Sequence, residues 1–219
     1  MINADEVARY LKENPAFFDE YSEMLSQISV PHPHGGNAIP LSDRQVLALR
    51  DKNKVLEAKL AELIQYGEEN DAIGEKMHRL ALALLAAQDL SVMLSALYYN
   101  LREDFAVPHV AMRVWQGAGG ERPEFSPVSE DLKQYAAGLA HPYCGPSGNA
   151  EAAGWFGEST PHLRSMALMP LAPVGSGADA CFGMLALASE DAMRFYPEMG
   201  TLYLKRLGEL VSASLGRFA

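Results

Sequence analysis

The sequence has few cysteines, few cations and no long apolar run. Its two cysteines, Cys144 and Cys181, are too few for a disulfide framework or a four-thiolate metal site. Its 18 Lys and Arg residues are outnumbered by 28 Asp and Glu residues, and this acidity argues against nonspecific binding to nucleic acid or to an anionic membrane. No apolar stretch approaches the roughly 18 residues that span a bilayer, and the N-terminus MINADEVARY is acidic where a signal peptide is basic. We therefore expect a cytoplasmic protein.

Patterns of common catalytic and metal sites are also missing. There is no phosphate-binding glycine loop, no dinucleotide fingerprint, and no pattern of paired carboxylates or of a Ser/His/Asp set. The stretch PHPHGG, residues 31–36, contains His32 and His34, but a metal site needs three or four ligands and nothing nearby supplies a thiolate. We therefore expect no enzyme and no metal site, and we interpret PHPHGG as a rigid linker that turns the chain.

Residues 1–40 predict a small helical cap that ends in this linker. Asn3 and Glu6 have the spacing of a capping box. Asn14-Pro15 has the pattern of a capping residue followed by a proline in the first helical turn. The apolar positions that follow recur at helical spacing and are rich in aromatic residues. They are Phe17, Phe18, Tyr21, Leu25 and Ile28.

Residues 41–75 predict a coiled-coil dimerisation helix that begins at about residue 43, because Ser42 and Gln45 have capping-box spacing. The a and d positions of its heptads form a narrow apolar seam flanked by charged residues, which is typical of a two-stranded coiled coil. The seam consists of Val46, Leu49, Asn53, Leu56, Leu60 and Leu63. An amide at an a position favours a parallel, in-register homodimer, because the two copies of Asn53 can bond each other. Antiparallel or intrachain pairing is the alternative.

The seam weakens after residue 66, where Gly67, Asn70 and Gly74 occupy the next a and d positions. We therefore expect a loosened or bent stretch at residues 67–75 before a second packed portion begins.

Residues 76–219 predict an α+β domain with an antiparallel sheet flanked by helices. HVAMRVWQ, residues 109–116, is a strand by its β-branched and aromatic content. RSMALMPLAP and ACFGMLALAS are two apolar strands joined by VGSGAD, which predicts a hairpin covered on both faces. Helices are predicted before the first strand, at DLKQYAAGLA, and from about Pro197 to the end, whereas residues 141–157 are predicted as an irregular loop.

The C-terminal stretch FGMLALASEDAMRFYPEMGTLYLKRLGELVSASL resembles the closing strand and last helix of a GAF domain. Nearly the whole chain is similar to a bacterial domain-of-unknown-function family of GAF-like proteins. The matching motifs are NPAFF at 14–18, PHPHGG at 31–36, Ser42 to Gln45 with Arg50, YCG at 143–145 and FYPEMGT at 195–201. The resemblance implies a GAF-like domain behind a helical N-terminus and a coiled coil, and it implies no activity. Members are often encoded near a tyrosine recombinase, which implies a partner by genomic association only.

The chain departs from GAF domains with known ligands. A bilin-bearing domain tethers its chromophore through a cysteine usually followed by histidine, and here Cys144 is followed by Gly145. The N-K-x-F-D-E type motif of cyclic-nucleotide-binding GAF domains is missing as well. The cofactor, if there is one, is therefore unknown. The free methionine-sulfoxide reductases of this fold use three cysteines, and this chain has two.

Seven residues are candidates for binding a small-molecule ligand. Arg113 and Trp115 alternate with apolar residues on one strand, so they share one sheet face, which lies either on the ligand side or under outer helices. On the ligand side, Arg113 could pair with an anion and Trp115 could stack on a ring. Cys144 is either a reactive thiol or an ordinary loop cysteine. The remaining candidates are Tyr135, Tyr143, His162 and Ser165.

Three functional hypotheses follow. The favoured one is a cytoplasmic, non-enzymatic GAF-like sensor or signalling adaptor that forms a parallel homodimer. In that hypothesis a small molecule in the GAF cleft would bias residues 67–75, and the response would pass to a separate protein. The second hypothesis is a structural protein–protein adaptor without a ligand, and the third is a thiol-dependent reductase that acts through Cys144.

Overall fold

The computed structural model describes residues 3–30, 39–116, 121–146, 149–173, 175–176 and 180–218. For residues 25–27, 29–30 and 39–43 it describes the backbone alone. The chain divides into two compact units, Met1–Glu69 and Asn70–Ala219. The predicted linker PHPHGG lies outside the described residues.

The described residues form helices and two antiparallel sheets. The α-helices are α1 (Ala4–Glu13), α2 (Ala16–Glu20), α3 (Ser22–Gln27), α4 (Leu41–Ala86), α5 (Leu90–Glu103), α6 (Glu130–Gly138), α7 (Ala150–Gly154) and α8 (Leu202–Leu215). The strands are β1 (Ser29–Val30), β2 (Ile39–Pro40), β3 (His109–Val114), β4 (Tyr143–Gly145), β5 (Ser165–Leu171) and β6 (Gly183–Ser189). Short 3₁₀ helices occupy Pro123–Phe125 and Gly157–His162. The predicted α+β class is confirmed.

The three cap helices α1–α3 follow the predicted sequence signals in part. The capping box of α1 is present, since Asn3 accepts from the Asp5 backbone and the Glu6 carboxylate accepts from the Asn3 backbone. Asn14 has a different role from the predicted one, because its side-chain amide donates to the Tyr10 carbonyl and so caps the end of α1. The helical spacing after Pro15 predicts one continuous helix there, but that segment is interrupted at Tyr21 and forms α2 and α3.

Helix α4 begins at Leu41, two residues before the predicted start, and continues without interruption for 46 residues. The expected loosened stretch at residues 67–75 is helical throughout. The glycines at 67 and 74 lower helix propensity by about 1 kcal/mol each relative to alanine. That cost is small beside the cooperative hydrogen bonding of so long a helix, so a weak apolar seam does not break the backbone.

The larger sheet lies in Asn70–Ala219 and has the strand order β3-β6-β5-β4, antiparallel throughout. The predicted hairpin of β5 and β6 is confirmed, and its register runs from Ser165↔Ser189 to Leu171↔Gly183. Residues 141–146 and 149–157, predicted as parts of an irregular loop, contain strand β4 and helix α7. Helix α8 begins at Leu202 rather than near Pro197, and Phe195, in the segment between β6 and α8, is buried.

Two apolar cores form on opposite faces of this sheet, as the alternation of buried side chains along β5 and β6 shows. Side chains from the end of α4, α5 and α8 build the first core with the strands. Side chains from α6 and α7 build the second. The described chain ends near the first core, where Arg217 donates to the carbonyls of Leu84, Leu85 and Ala87 at 3.1, 3.2 and 3.3 Å. This guanidinium caps the C-terminus of α4, where unpaired carbonyls and the helix dipole favour a cation.

Among the helices in the described part of the chain, none combines the length and the apolar character that a bilayer crossing requires.

Candidate functional site

The sheet places the seven predicted ligand-binding residues in three different surroundings. Arg113 and Trp115 on β3 lie on the face of the second core, together with Tyr135 from α6 and Tyr143 from β4. Cys144 belongs to the first core on the opposite face. Ser165 is buried at the start of β5, and His162 is exposed at the end of a 3₁₀ helix. The structure therefore brings four of the seven residues to one face.

Arg113 is held by the chain's own groups. Its Nη1 donates to the Met112 carbonyl at 2.8 Å, and its guanidinium carbon lies 5.0 Å from the centre of the Trp155 ring. Burial lowers the pKa of Arg113, and the nearby Tyr98 and Glu124 oppose that shift. Arginine stays protonated in proteins, so this position carries a positive charge stacked on an aromatic face.

Tyr98 and Glu124 form a second polar pair close to Arg113. The Tyr98 hydroxyl donates to Glu124 Oε1 at 2.7 Å. Burial raises the pKa of Tyr98 well above its ordinary value, and the hydrogen bond to Glu124 adds to that shift. The sequence predicted neither residue, nor Trp155, because each lies on an element far along the chain and no local pattern joins it to Arg113.

The indole of Trp115 is also engaged within the protein. Its Nε1 donates to the Cys181 carbonyl at 2.9 Å, and its backbone N–H donates to the Phe182 carbonyl at 2.9 Å. A tryptophan side chain has only this one donor, so it has none left for a ligand. Trp115 therefore joins β3 to the residues before β6.

Tyr135 and Tyr143 lie near each other in the second core. Burial raises the pKa of Tyr135, and Tyr143 raises it further. The Tyr143 side chain extends along β4 over Gly145, where an added Cβ would lie 2.8 Å from the Tyr143 ring carbon that bears the hydroxyl. Because glycine has no Cβ, the Tyr143 ring can occupy this space, which is a physical reason for the YCG motif.

Cys144 lacks the surroundings of a reactive thiol. It is buried in the first core, and burial raises its pKa to about 11. Since the thiolate is the nucleophile, a raised pKa lowers reactivity. Cys181 belongs to the second core, and burial raises its pKa as well. Ser165 uses its hydroxyl to donate to the Asp191 carbonyl at 2.6 Å.

A cavity of about 630 Å³ lies between the end of α6, the end of β5 and the α8 face that carries Gly208. Its floor includes Met169 and Cys181. Its rim includes Lys205 and Glu209, whose Nζ and Oε1 atoms are 3.9 Å apart. This volume lies within the range of small-molecule sites. None of the seven predicted ligand-binding residues lines the cavity.

The predicted dimerisation residues form an exposed apolar stripe on α4. The exposed fraction of their apolar side chains ranges from 44% for Val46 to 66% for Leu63, and Asn53 is exposed as well. Burial of such a side chain contributes about 1.5–3 kcal/mol relative to exposure. Large apolar residues in a continuous exposed row mark an interaction surface.

The described ranges contain no group of three or more His, Cys, Asp or Glu side chains arranged to hold a metal ion. Over residues 1–219 the chain matches the model of a family described as protein of unknown function, DUF484. The chain belongs to this family. No curated protein matches it. In this DUF484 member the exposed row on α4 and the cavity beside α8 both suggest interaction with another molecule.

Proposed function

We propose that this DUF484 protein is a non-enzymatic signalling adaptor that acts as a parallel homodimer and carries a GAF-like domain. The observation that carries the proposal is the exposed row of a and d side chains from Val46 to Leu63. A second copy of the same helix would bury this row by knobs-into-holes packing.

Charges beside the row favour the parallel orientation. Lys52 is at a g position and Glu57 is at the e position of the next heptad. In a parallel, in-register pair these two positions face each other across the seam, so each dimer gains two attractive contacts. In an antiparallel pair g positions face g positions, which brings Lys52 near Lys59 of the other copy.

The test is the solution mass of the wild type and three variants at micromolar concentration, measured by sedimentation. Leu56→Glu places a charge in the seam and is expected to give a monomer. The control is Leu202→Glu, which alters an equally accessible leucine in the first turn of α8 and is expected to leave the dimer intact. If the wild-type chain and an Asn53→Val chain are both monomers, the proposed dimer is wrong.

A second candidate function is small-molecule sensing, and the cavity beside α8 favours it. Native mass spectrometry of gently purified protein, followed by denaturing mass measurement of the same sample, tests this function. A dimer with extra mass that denaturation releases would support a sensor, and the mass would identify the ligand. A bare dimer would favour an adaptor without a ligand.

A thiol-dependent reductase has the least support. The Cys144 thiol is buried and its pKa is about 11. The two cysteines belong to different cores. Turnover that is unchanged in a Cys144→Ser variant would exclude a role for this thiol.

A further inference from the structure

The cap helices α1–α3 leave several apolar side chains exposed. Their rings meet around Phe17, whose centroid lies 4.7 Å from Tyr21, 6.0 Å from Phe18 and 6.5 Å from Tyr10. Yet no cap residue with a described side chain is buried. The exposed apolar residues are Val7, Tyr10, Phe18, Tyr21, Met24 and Ile28. Helices this short are marginal in water without tertiary packing, so this surface is suited to packing against another one.

The cap helices are acidic, whereas residues 44–59 of α4 are basic. Residues 3–30 contain six carboxylates and two cations, whereas residues 44–59 contain five cations and two carboxylates. The carboxylates of the cap are Asp5, Glu6, Glu13, Asp19, Glu20 and Glu23. The cations of residues 44–59 are Arg44 and Lys54 on the side away from the seam, and Arg50, Lys52 and Lys59 at e and g positions beside it. Surfaces of opposite charge attract each other and select their orientation.

Helix α4 offers an apolar strip outside the dimer seam. Ala48, Val55 and Ala58 occupy c and f heptad positions and are all exposed. Arg44 and Lys54 lie at neighbouring f and b positions and Asp51 lies at the f position between them, so the b, c and f positions of residues 44–58 carry a net charge of +1. The b, c and f positions face away from the seam of a two-stranded coiled coil. This outer strip therefore remains available after two α4 helices have paired.

We infer that the cap helices of one protomer dock on the outer strip of α4 in a second copy of the chain. The inference rests on the proposed parallel dimer, in which two α4 helices start side by side about 8–10 Å apart. The ladder of β1 and β2 pairs Ser29 with Pro40 and so holds the end of the cap next to the start of α4. Within one chain, no cap residue with a described side chain is buried, and residues 44–46 and 48–66 of α4 are exposed, which leaves the partner's helix as the surface to be covered.

Two charge-reversed chains test the docking. The cap-reversed chain carries Glu13→Lys and Glu20→Lys, which place cations at the last residues of α1 and α2, where the helix dipole favours them. The α4-reversed chain carries Arg44→Glu and Lys54→Glu, which leave the a, d, e and g positions unchanged. Each chain alone is expected to dimerise about tenfold more weakly than the wild type, since each dimer contains two contacts of like charge.

Mixing the two reversed chains decides between docking in trans and docking in cis. A heterodimer would pair each cap with an α4 of opposite charge, whereas neither homodimer would. Native mass spectrometry is expected to show heterodimers above the statistical share and a dissociation constant near that of the wild type. The control chain carries Glu158→Lys and Glu198→Lys, which change the net charge by the same amount as in the cap-reversed chain but at exposed positions of the second unit. Mixed with the α4-reversed chain, it is expected to form heterodimers at the statistical share.

The remaining outcomes overturn the inference in distinguishable ways. Statistical mixing with unchanged affinities would show that the cap does not touch α4. Weakened homodimers without a heterodimer preference would place the contact within one chain. A monomeric wild-type chain would overturn the proposed dimer itself, whereas statistically mixing dimers would overturn the docking alone.

Discussion

Leucine side chains on helix α4 are exposed in the first unit and buried in the second. Leu56, in Met1–Glu69, leaves 62% of its surface exposed, whereas Leu80 and Leu84, in Asn70–Ala219, are fully buried. Helix propensity cannot account for the difference, because leucine favours helix equally at all three positions. The second unit supplies a sheet and helix α8 for its leucines to pack on.

The second unit buries apolar side chains within the chain, whereas the first unit would bury its own only by assembly with another chain. Asn70–Ala219 contains both apolar cores, so its side chains already have their partners. The described side chains of Met1–Glu69 include none that is buried. The stability of the first unit should therefore depend on protein concentration through mass action, and that of the second should not.

Alanine substitutions at matched leucines should give the largest difference between the units. Leu84→Ala leaves a cavity in the first core and is expected to lower the free energy of unfolding by about 2–5 kcal/mol. Leu56→Ala is expected to change it by less than about 0.5 kcal/mol in a sample dilute enough to be monomeric. Urea unfolding followed by far-ultraviolet circular dichroism measures both. Equal losses for the two variants in dilute solution would contradict the contrast.

Removal of the Arg217 cap should have a smaller effect on the second unit. Arg217→Ala leaves carbonyls at the end of α4 without their donor, and because the side chain is exposed the expected loss is about 1 kcal/mol. Arg217→Lys keeps the positive charge but not the planar guanidinium group, so its loss of stability should be smaller than that of Arg217→Ala. The matched control is Arg206→Ala, whose exposed guanidinium lies over the Tyr203 ring. The urea midpoint measures all three, and an Arg206→Ala loss equal to that of Arg217→Ala would show that capping is not the cause.

The sequence predicted the elements of the second unit better than their contacts. The β5–β6 hairpin could be predicted because two apolar runs flank a turn rich in Gly and Ser. Strand β4 was missed because its three residues, Tyr143 to Gly145, are too short to show a period. In the first unit, Asn14 was assigned to the start of a helix although it caps the end of one. A side-chain amide can cap either end of a helix, and an Asn-Pro pair is compatible with both ends.

The candidate site was less predictable than the fold. Alternation along β3 placed Arg113 and Trp115 on a common face, and the structure shows that face under α6 and α7. The alternation of side chains along a strand does not show which elements pack on each face of the sheet. Trp155 lies 42 positions after Arg113 in the chain, and only the packing of α7 on the sheet brings the two together. Cys144 and Tyr143 were both predicted as candidates for binding a ligand, but they are consecutive residues of a strand and therefore lie on opposite faces of the sheet.

The smallest expected effect concerns pH and the Cys144 thiol. Folding raises its pKa from an ordinary value of 9.0 to about 11. As the pH rises through this window, the unfolded chain loses the proton first and binds fewer protons than the folded chain, so the stability of the second unit should fall. Urea unfolding at about pH 8 and about pH 10 should show a larger decrease for the wild type than for Cys144→Ser, which has no proton to lose there. Both tryptophans lie in the second unit, so their fluorescence reports its unfolding alone. Equal decreases in the two chains, or fast alkylation of native Cys144 near neutral pH, would show that the thiol is accessible and reopen the case for thiol chemistry.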